Sequence, residues 1–241
     1  MVKAIIFDCD GVLVDTERDG HRVAFNQAFK AIGLDLEWDV PTYGELLVVG
    51  GGKERIRYYF DKYGWPAGRS ESQDELIALL HKTKTDFFTD IIASGQLPLR
   101  PGISRIVDEA IAAGVRLGVC TTSAPKAIDG VLDLFGAARK AKFEFVLAGD
   151  VVSRKKPDPE IYELAKQTLG LPASECVVVE DSRNGLLASS GAGIPTLITT
   201  STYTKDEDFT GALKVVPELG DPPTVQVTLE ALARLASKPA A

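Results

Sequence analysis

Three short apolar runs along the chain each end in a polar cluster. Residues 4–7 lead into Asp8-Cys9-Asp10-Gly11, residues 115–120 into Thr121-Thr122-Ser123, and residues 177–179 into Glu180-Asp181-Ser182. Apolar runs of this kind, without alternation, predict strands of a parallel sheet buried on both faces. Between them the apolar residues return at helical spacing. Ile106, Val107, Ala110 and Ile111 mark a helix over 104–113 that stops at Gly114. Asp158 and Pro159 open a second, striped by Ile161, Leu164, Ala165 and Leu169 and closed by Gly170. A third unit runs over 185–192 into a strand at 196–199, and residues 213–216 read as an edge strand. Strand and helix in alternation predict an α/β fold, a doubly wound, Rossmann-like parallel sheet. In such sheets ligands bind beyond the carboxyl ends of the strands, where the three polar clusters would meet.

The stretch between Thr16 and Pro98 breaks this rhythm. Ala24, Phe25, Ala28, Phe29 and Ile32 share one helical face, and Leu76, Leu79, Leu80, Phe87, Phe88 and Ile91 stripe a long helix closed near Gly95. An insertion of about 80 residues is too long for a connection. It predicts an inserted α-helical cap domain over 16–98, on a core made of 1–15 and 99–241, with hinges near Asp15 and near 97–100. Trp38 and Tyr43 are assigned to the cap's core and His81 to its surface. After Asp221-Pro222-Pro223, an Ala-rich helix beyond Thr228 packs back on the core, and 238–241 are expected to fray.

At 241 residues and 45% apolar the chain can bury a full core. A net charge of −7 and a pI near 5.0 exclude a nucleic-acid or anionic-membrane binder, so any anionic ligand must be held by a few local cations. The three cysteines, Cys9, Cys120 and Cys176, sit in or beside apolar strands and form neither a disulfide framework nor a zinc pattern, which suits a reducing compartment. With neither signal sequence nor membrane span, the reading is a soluble intracellular protein, of the cytoplasm or, after loss of a transit peptide, the plastid stroma. The acidic, patch-free composition is compatible with a monomer.

The polar clusters suit phosphoryl transfer. Asp8 and Asp10 share one turn at a strand end, so both reach a single bound group. An aspartate can act as covalent nucleophile in phosphoryl transfer, which fits Asp8, with Asp10 protonating the leaving oxygen and later activating water. Asp8, Asp10, Glu180 and Asp181 would gather four carboxylates, and one like-charge pair at 4 Å costs roughly 4 kcal/mol at an effective dielectric near 20. One lysine cannot neutralise that set plus a phosphate, whereas Mg²⁺ suits an all-oxygen site. Lys156, in Lys155-Lys156-Pro157, would offset charge on the nucleophile and the phosphoryl group, while Thr121, with Thr122 and Ser123 beside it, would hold phosphoryl oxygens.

In this order these motifs resemble the haloacid dehalogenase-like phosphatases, and the resemblance spans essentially the whole chain. It implies Asp8 as nucleophile, Asp10 as acid and base, Thr121 as phosphate ligand and Lys156, directly before Pro157, as the conserved-type lysine. It also implies Mg²⁺ on the Asp8 carboxylate, the Asp10 main-chain carbonyl and Asp181, with Glu180 beside or behind. Val12 departs from the pattern, standing where many of these phosphatases have Thr.

Within the cap, residues 17–22 and 45–55 look like those of CbbY-type xylulose-1,5-bisphosphate phosphatases, relatives of β-phosphoglucomutase. That likeness implies a sugar-bisphosphate substrate, carbohydrate metabolism around the Calvin cycle, and a second phosphate site facing the first. A glycine loop that opens a helix is an anion site, which fits Gly51 and Gly52, with Lys53 and Arg55 adding charge. A flexible connection and a solvated face are the plainer readings of the same residues. Glu17 either binds sugar hydroxyls or occupies a first helical turn, and His21 either approaches substrate or is structural. A phosphosugar mutase, a phosphoglycolate-type phosphatase and a non-catalytic binding module on the same fold stay open as alternatives.

Overall fold

A computed structural model describes residues 2–237. Its sheet comprises β1 (Ala4–Phe7), β2 (Arg116–Thr121), β3 (Phe143–Ala148), β4 (Cys176–Glu180), β5 (Thr196–Thr199) and β6 (Lys214–Val216). The strands lie in the order β3-β2-β1-β4-β5-β6, and every neighbouring pair is parallel. β1 is therefore central, and Asp8 leaves the sheet between the ends of β2 and β4.

Strand β3 was not foreseen. It is the outer strand beside β2, and its Phe-Glu-Phe-Val-Leu-Ala run is only half buried, so its pattern lacks the continuous apolar signal of the inner strands. β2 starts one residue later than its apolar run and takes in Thr121, which places that hydroxyl at the strand's carboxyl end.

The inserted segment contains a π-helical turn (Glu17–His21) and four helices, α1 (Arg22–Ala31), α2 (Val40–Leu46), α3 (Gly52–Tyr63) and α4 (Gln73–Ala93). Local chemistry starts two of them. Asp39 accepts the Thr42 N–H at the head of α2, and Ser72 and Glu75 form a reciprocal capping box on α4. Phe25, Phe29, Trp38, Tyr43, Ile56 and Leu80 bury one another in a hydrophobic cluster of the cap's own.

Helices α5 (Ile103–Ala112), α6 (Pro125–Asp133) and α7 (Ala137–Lys140) follow the return to the core, and α8 (Glu160–Leu169), α9 (Arg183–Gly191) and α10 (Leu229–Ala236) complete it. Side-chain alternation along β1 explains the two covered faces: Ile5 and Phe7 join Ile106, Ile128 and Leu232 on one side, while Ala4 and Ile6 join Ile161, Ala165 and Ala188 on the other. Cys9, Cys120 and Cys176 are all buried and free. The connections between the units are tied down. Arg100 donates to the carbonyls of Gly11, Thr200 and Pro217, and Asp15 accepts the Thr202 hydroxyl at 2.6 Å. The fraying foreseen for 238–241 lies outside the described residues.

Candidate active site

The sheet's carboxyl ends and the cap enclose a cleft of about 350 Å³, lined by Asp8, Asp10, Thr121, Thr122, Ser123, Lys156 and Asp181 from the core. Asp8 enters it directly from β1, its N–H bound to the Val179 carbonyl at 2.9 Å. The chain then turns at Gly11 with φ of +78°, and a Cβ there would collide with the Asp181 carboxylate.

Lys156 ties the site together. Its ammonium donates to Asp8 Oδ1 at 2.6 Å, to Glu180 Oε1 at 2.5 Å and to the Cys120 carbonyl at 2.9 Å. Burial alone would lower its pKa, but Asp8 and Glu180 outweigh that and raise it, so Lys156 stays charged. Glu180 is used up on the far side of that lysine: Oε1 also accepts the Tyr162 hydroxyl at 2.7 Å, and Oε2 accepts the Asp181 N–H at 3.0 Å. It does not line the cleft, although one of its carboxylate oxygens lies within 4.8 Å of those of Asp8 and Asp181.

One cation is too little for this set. Burial pushes the Asp8 carboxyl well up, Lys156 pulls it back only in part, and Glu180 and Asp10 add to the rise. Asp181 is raised by burial, Glu180 and Asp8, and among the described residues no basic side chain pairs with it. Carboxylate oxygens of Asp8, Glu180 and Asp181 come within 4.8 Å of one another. Two underpaired carboxylates facing one space form a donor set that fits a hard divalent cation such as Mg²⁺.

Asp10 sits in the opposite situation. Its Oδ1 accepts from Thr16 Oγ1 at 2.5 Å and His21 Nε2 at 2.7 Å, and its Oδ2 from Ser123 Oγ at 2.5 Å. Burial would raise its pKa, yet His21, Ser123 and Thr16 outweigh that and hold it well below the usual carboxylate range. His21 is buried, stacks on Phe88 at 4.0 Å, and takes Lys84 Nζ at 2.6 Å on Nδ1.

The cap supplies the far wall with Glu17, Gly51, Gly52 and Arg55. Arg55 is 7% exposed and donates to the Tyr43 hydroxyl at 2.8 Å and the Val49 carbonyl at 3.2 Å. Tyr43 in turn donates to Glu17 Oε2 at 2.5 Å, while the buried Arg55 Nε has no partner among the described residues. Lys53 is not part of this wall. Its ammonium pairs with Asp150 at 2.5 Å, across the seam between cap and core. His81 is likewise not a surface residue: it is half buried against Gly52, at the opening of α3.

Residues 2–193 match the model of the haloacid dehalogenase-like hydrolases. The chain belongs to that family. A CBBY-like protein of Arabidopsis thaliana is 52% identical over 225 residues, which cover 92% of this chain and 70% of that protein. Protein CbbY of Cupriavidus necator is 42% identical over 222 residues, 92% of this chain and 87% of that one. The crystal structure of CbbY from Rhodobacter sphaeroides in complex with phosphate superposes with a TM-score of 0.87 at 39% identity, covering 96% of this chain and 99% of that chain. A mutant of that CbbY has been solved in complex with xylulose-(1,5)bisphosphate, with the same superposition. Within the haloacid dehalogenase-like hydrolases this chain is therefore a CbbY-like phosphatase, with a Rossmann-like core and a cap.

In this phosphatase the sequence reading missed Lys84, Thr16 and Tyr162. Lys84 did leave a signal: it stands in the buried stripe Leu80, Lys84, Phe88 of α4, four residues apart, where an apolar residue belongs. Tyr162 reads as another apolar position of α8, and only the fold brings its hydroxyl to Glu180.

Proposed function

We propose that this phosphatase hydrolyses a sugar bisphosphate, xylulose-1,5-bisphosphate, through an aspartyl-phosphate on Asp8. The observation that carries the reading is the cleft's two-ended charge: Asp8 and Lys156 at the core end, and at the cap end the Arg55 guanidinium beside the opening of α3. A bisphosphate needs an anion site at each end, and the likeness to a CbbY solved with xylulose-(1,5)bisphosphate supports that substrate.

The Asp8 oxygen not held by Lys156 attacks phosphorus, and the bond from phosphorus to the sugar oxygen breaks. Asp10 must first take up a proton against the hold of His21, Ser123 and Thr16, and it gives that proton to the sugar oxygen. It then takes a proton from the water that attacks the aspartyl-phosphate, which releases phosphate and restores Asp8. Lys156 holds the nucleophile in place throughout, and the Thr121 hydroxyl with the Thr122 and Ser123 groups line the space for phosphoryl oxygens. Mg²⁺ would be held by the Asp8 carboxylate, the Asp10 main-chain carbonyl and Asp181, and when bound supplies the positive charge that transferred oxygens need. Glu17, which lines the cleft and accepts from Tyr43, would bind sugar hydroxyls.

Phosphate release from a panel of sugar mono- and bisphosphates, scored by kcat/KM, tests this. Xylulose-1,5-bisphosphate should rank first. Preference for a small monoester such as phosphoglycolate, or return of the phosphoryl group to a sugar instead of water, would replace the reading.

A further inference from the structure

Lys53 looks outward from the opening of α3, yet it is not a free surface lysine. Its Nζ lies 2.5 Å from Asp150 Oδ2, across the seam between cap and core. The other oxygen of Asp150 takes Lys155 Nζ at 2.8 Å, and Lys155 also donates to the Gly149 carbonyl. Lys155 is the residue before Lys156. A second contact reaches the same segment from the same cap loop: a Cβ on Gly50 would stand 2.9 Å from the Lys156 carbonyl oxygen. The loop that opens α3 thus lands twice on the segment 149–156, and that segment carries the ammonium holding Asp8 and Glu180.

We propose that Lys53 and Asp150 are positioning residues, a clasp that seats the cap loop on the segment 149–156 and so ties closure of the cleft to the placement of Lys156. Their side chains are 44% and 62% exposed, so the pair is weak by itself and forms only when the two surfaces meet. The same pairing explains why Lys53 takes no place in the cleft wall: its charge is spent on the core. The inference rests on the phosphosugar reading only through the substrate used to measure it.

The test is a double-mutant cycle of Lys53→Met, Asp150→Asn and the pair, assayed on xylulose-1,5-bisphosphate. Each single variant should lower kcat/KM about two- to fivefold, the double should be no worse than either single, and about 0.5 M salt should shrink the gap to wild type. Amide exchange in 48–52 and 149–156 should rise alike in both single variants. Additive losses, an Asp150→Asn variant as active as wild type, or unchanged exchange in 149–156 overturns the clasp. If wild type releases no phosphate from xylulose-1,5-bisphosphate, the substrate reading fails instead. The exchange measurement then decides the clasp on its own.

Discussion

Lys84 Nζ lies 2.6 Å from His21 Nδ1, and this contact sets the tautomer of the ring. An ammonium can only donate, so Nδ1 accepts and the ring proton stands on Nε2, 2.7 Å from Asp10. Burial lowers the Lys84 pKa from 10.5 to about 8. Between those values the unfolded chain binds a proton that the folded chain has lost, so stability rises with pH through that window. Below about 8 the folded protein bears the cost of a buried charge.

Lys84→Met should therefore be more stable than wild type at pH 7, by about 1–3 kcal/mol, with the advantage shrinking as pH rises from about 8 to 10.5. The same variant should lose at least about tenfold in kcat, because His21 then loses its partner on Nδ1 and is no longer held against the Asp10 carboxylate. Denaturation midpoints of both proteins across pH 7–10, together with phosphate release, check both halves. A variant that is less stable at pH 7 and fully active would contradict both.

Asp8→Asn should reduce turnover by more than about 10³-fold, since the amide is no nucleophile and the aspartyl-phosphate cannot form. The fold should survive, because relief of like-charge repulsion around Glu180 and Asp181 offsets part of the lost Asp8–Lys156 ion pair, and Lys156 keeps Glu180 as its partner. Thermal unfolding and phosphate release on one preparation are the measurements. Near-normal turnover in the folded variant would take the nucleophile's role away from Asp8.

Asp8, Thr121 and Asp181 were legible from sequence because each stands at the end of a mainly apolar run, and parallel β1, β2 and β4 deliver all three to one end of the sheet. Glu180 was legible as a residue but not in its position, which depends on Tyr162 from α8 and on the missing Cβ of Gly185. Lys53 was legible as a lysine after a glycine loop, the anion-site pattern, but its pairing with Asp150, 97 residues away, was not. Strand β3 was lost to half exposure at the sheet's edge. Local pattern reports which residues enter the cleft from the core; pairings across the seam need the fold.

Glu180 and Asp181 are neighbours in sequence with separable roles. Asp181→Asn should weaken the apparent Mg²⁺ affinity by about 10–100-fold with modest loss of stability, since its carboxylate has no cationic partner among the described residues. Glu180→Gln breaks a fully buried ion pair with Lys156 and should cost about 3–5 kcal/mol of stability. Mg²⁺ titrations of activity and unfolding curves separate the two. Equal effects of both substitutions on Mg²⁺ dependence would place Glu180 on the metal after all.

Arg55 decides whether the cleft reads one phosphate or two. Its guanidinium is already held by Tyr43 and Val49, so a remote phosphate meets a preorganised fork. Charge-assisted hydrogen bonds of this kind contribute about 1.5–3 kcal/mol, so Arg55→Met should raise KM for xylulose-1,5-bisphosphate roughly 10–100-fold. The loss must be smaller for a monophosphate, which has no group to place there. Arg55→Met also strips Glu17 and Tyr43 of their cation, so the comparison between the two substrates carries the inference, rather than either KM alone. An equal rise for both substrates would make Arg55 a support for the cap wall instead of a reader of the second phosphate.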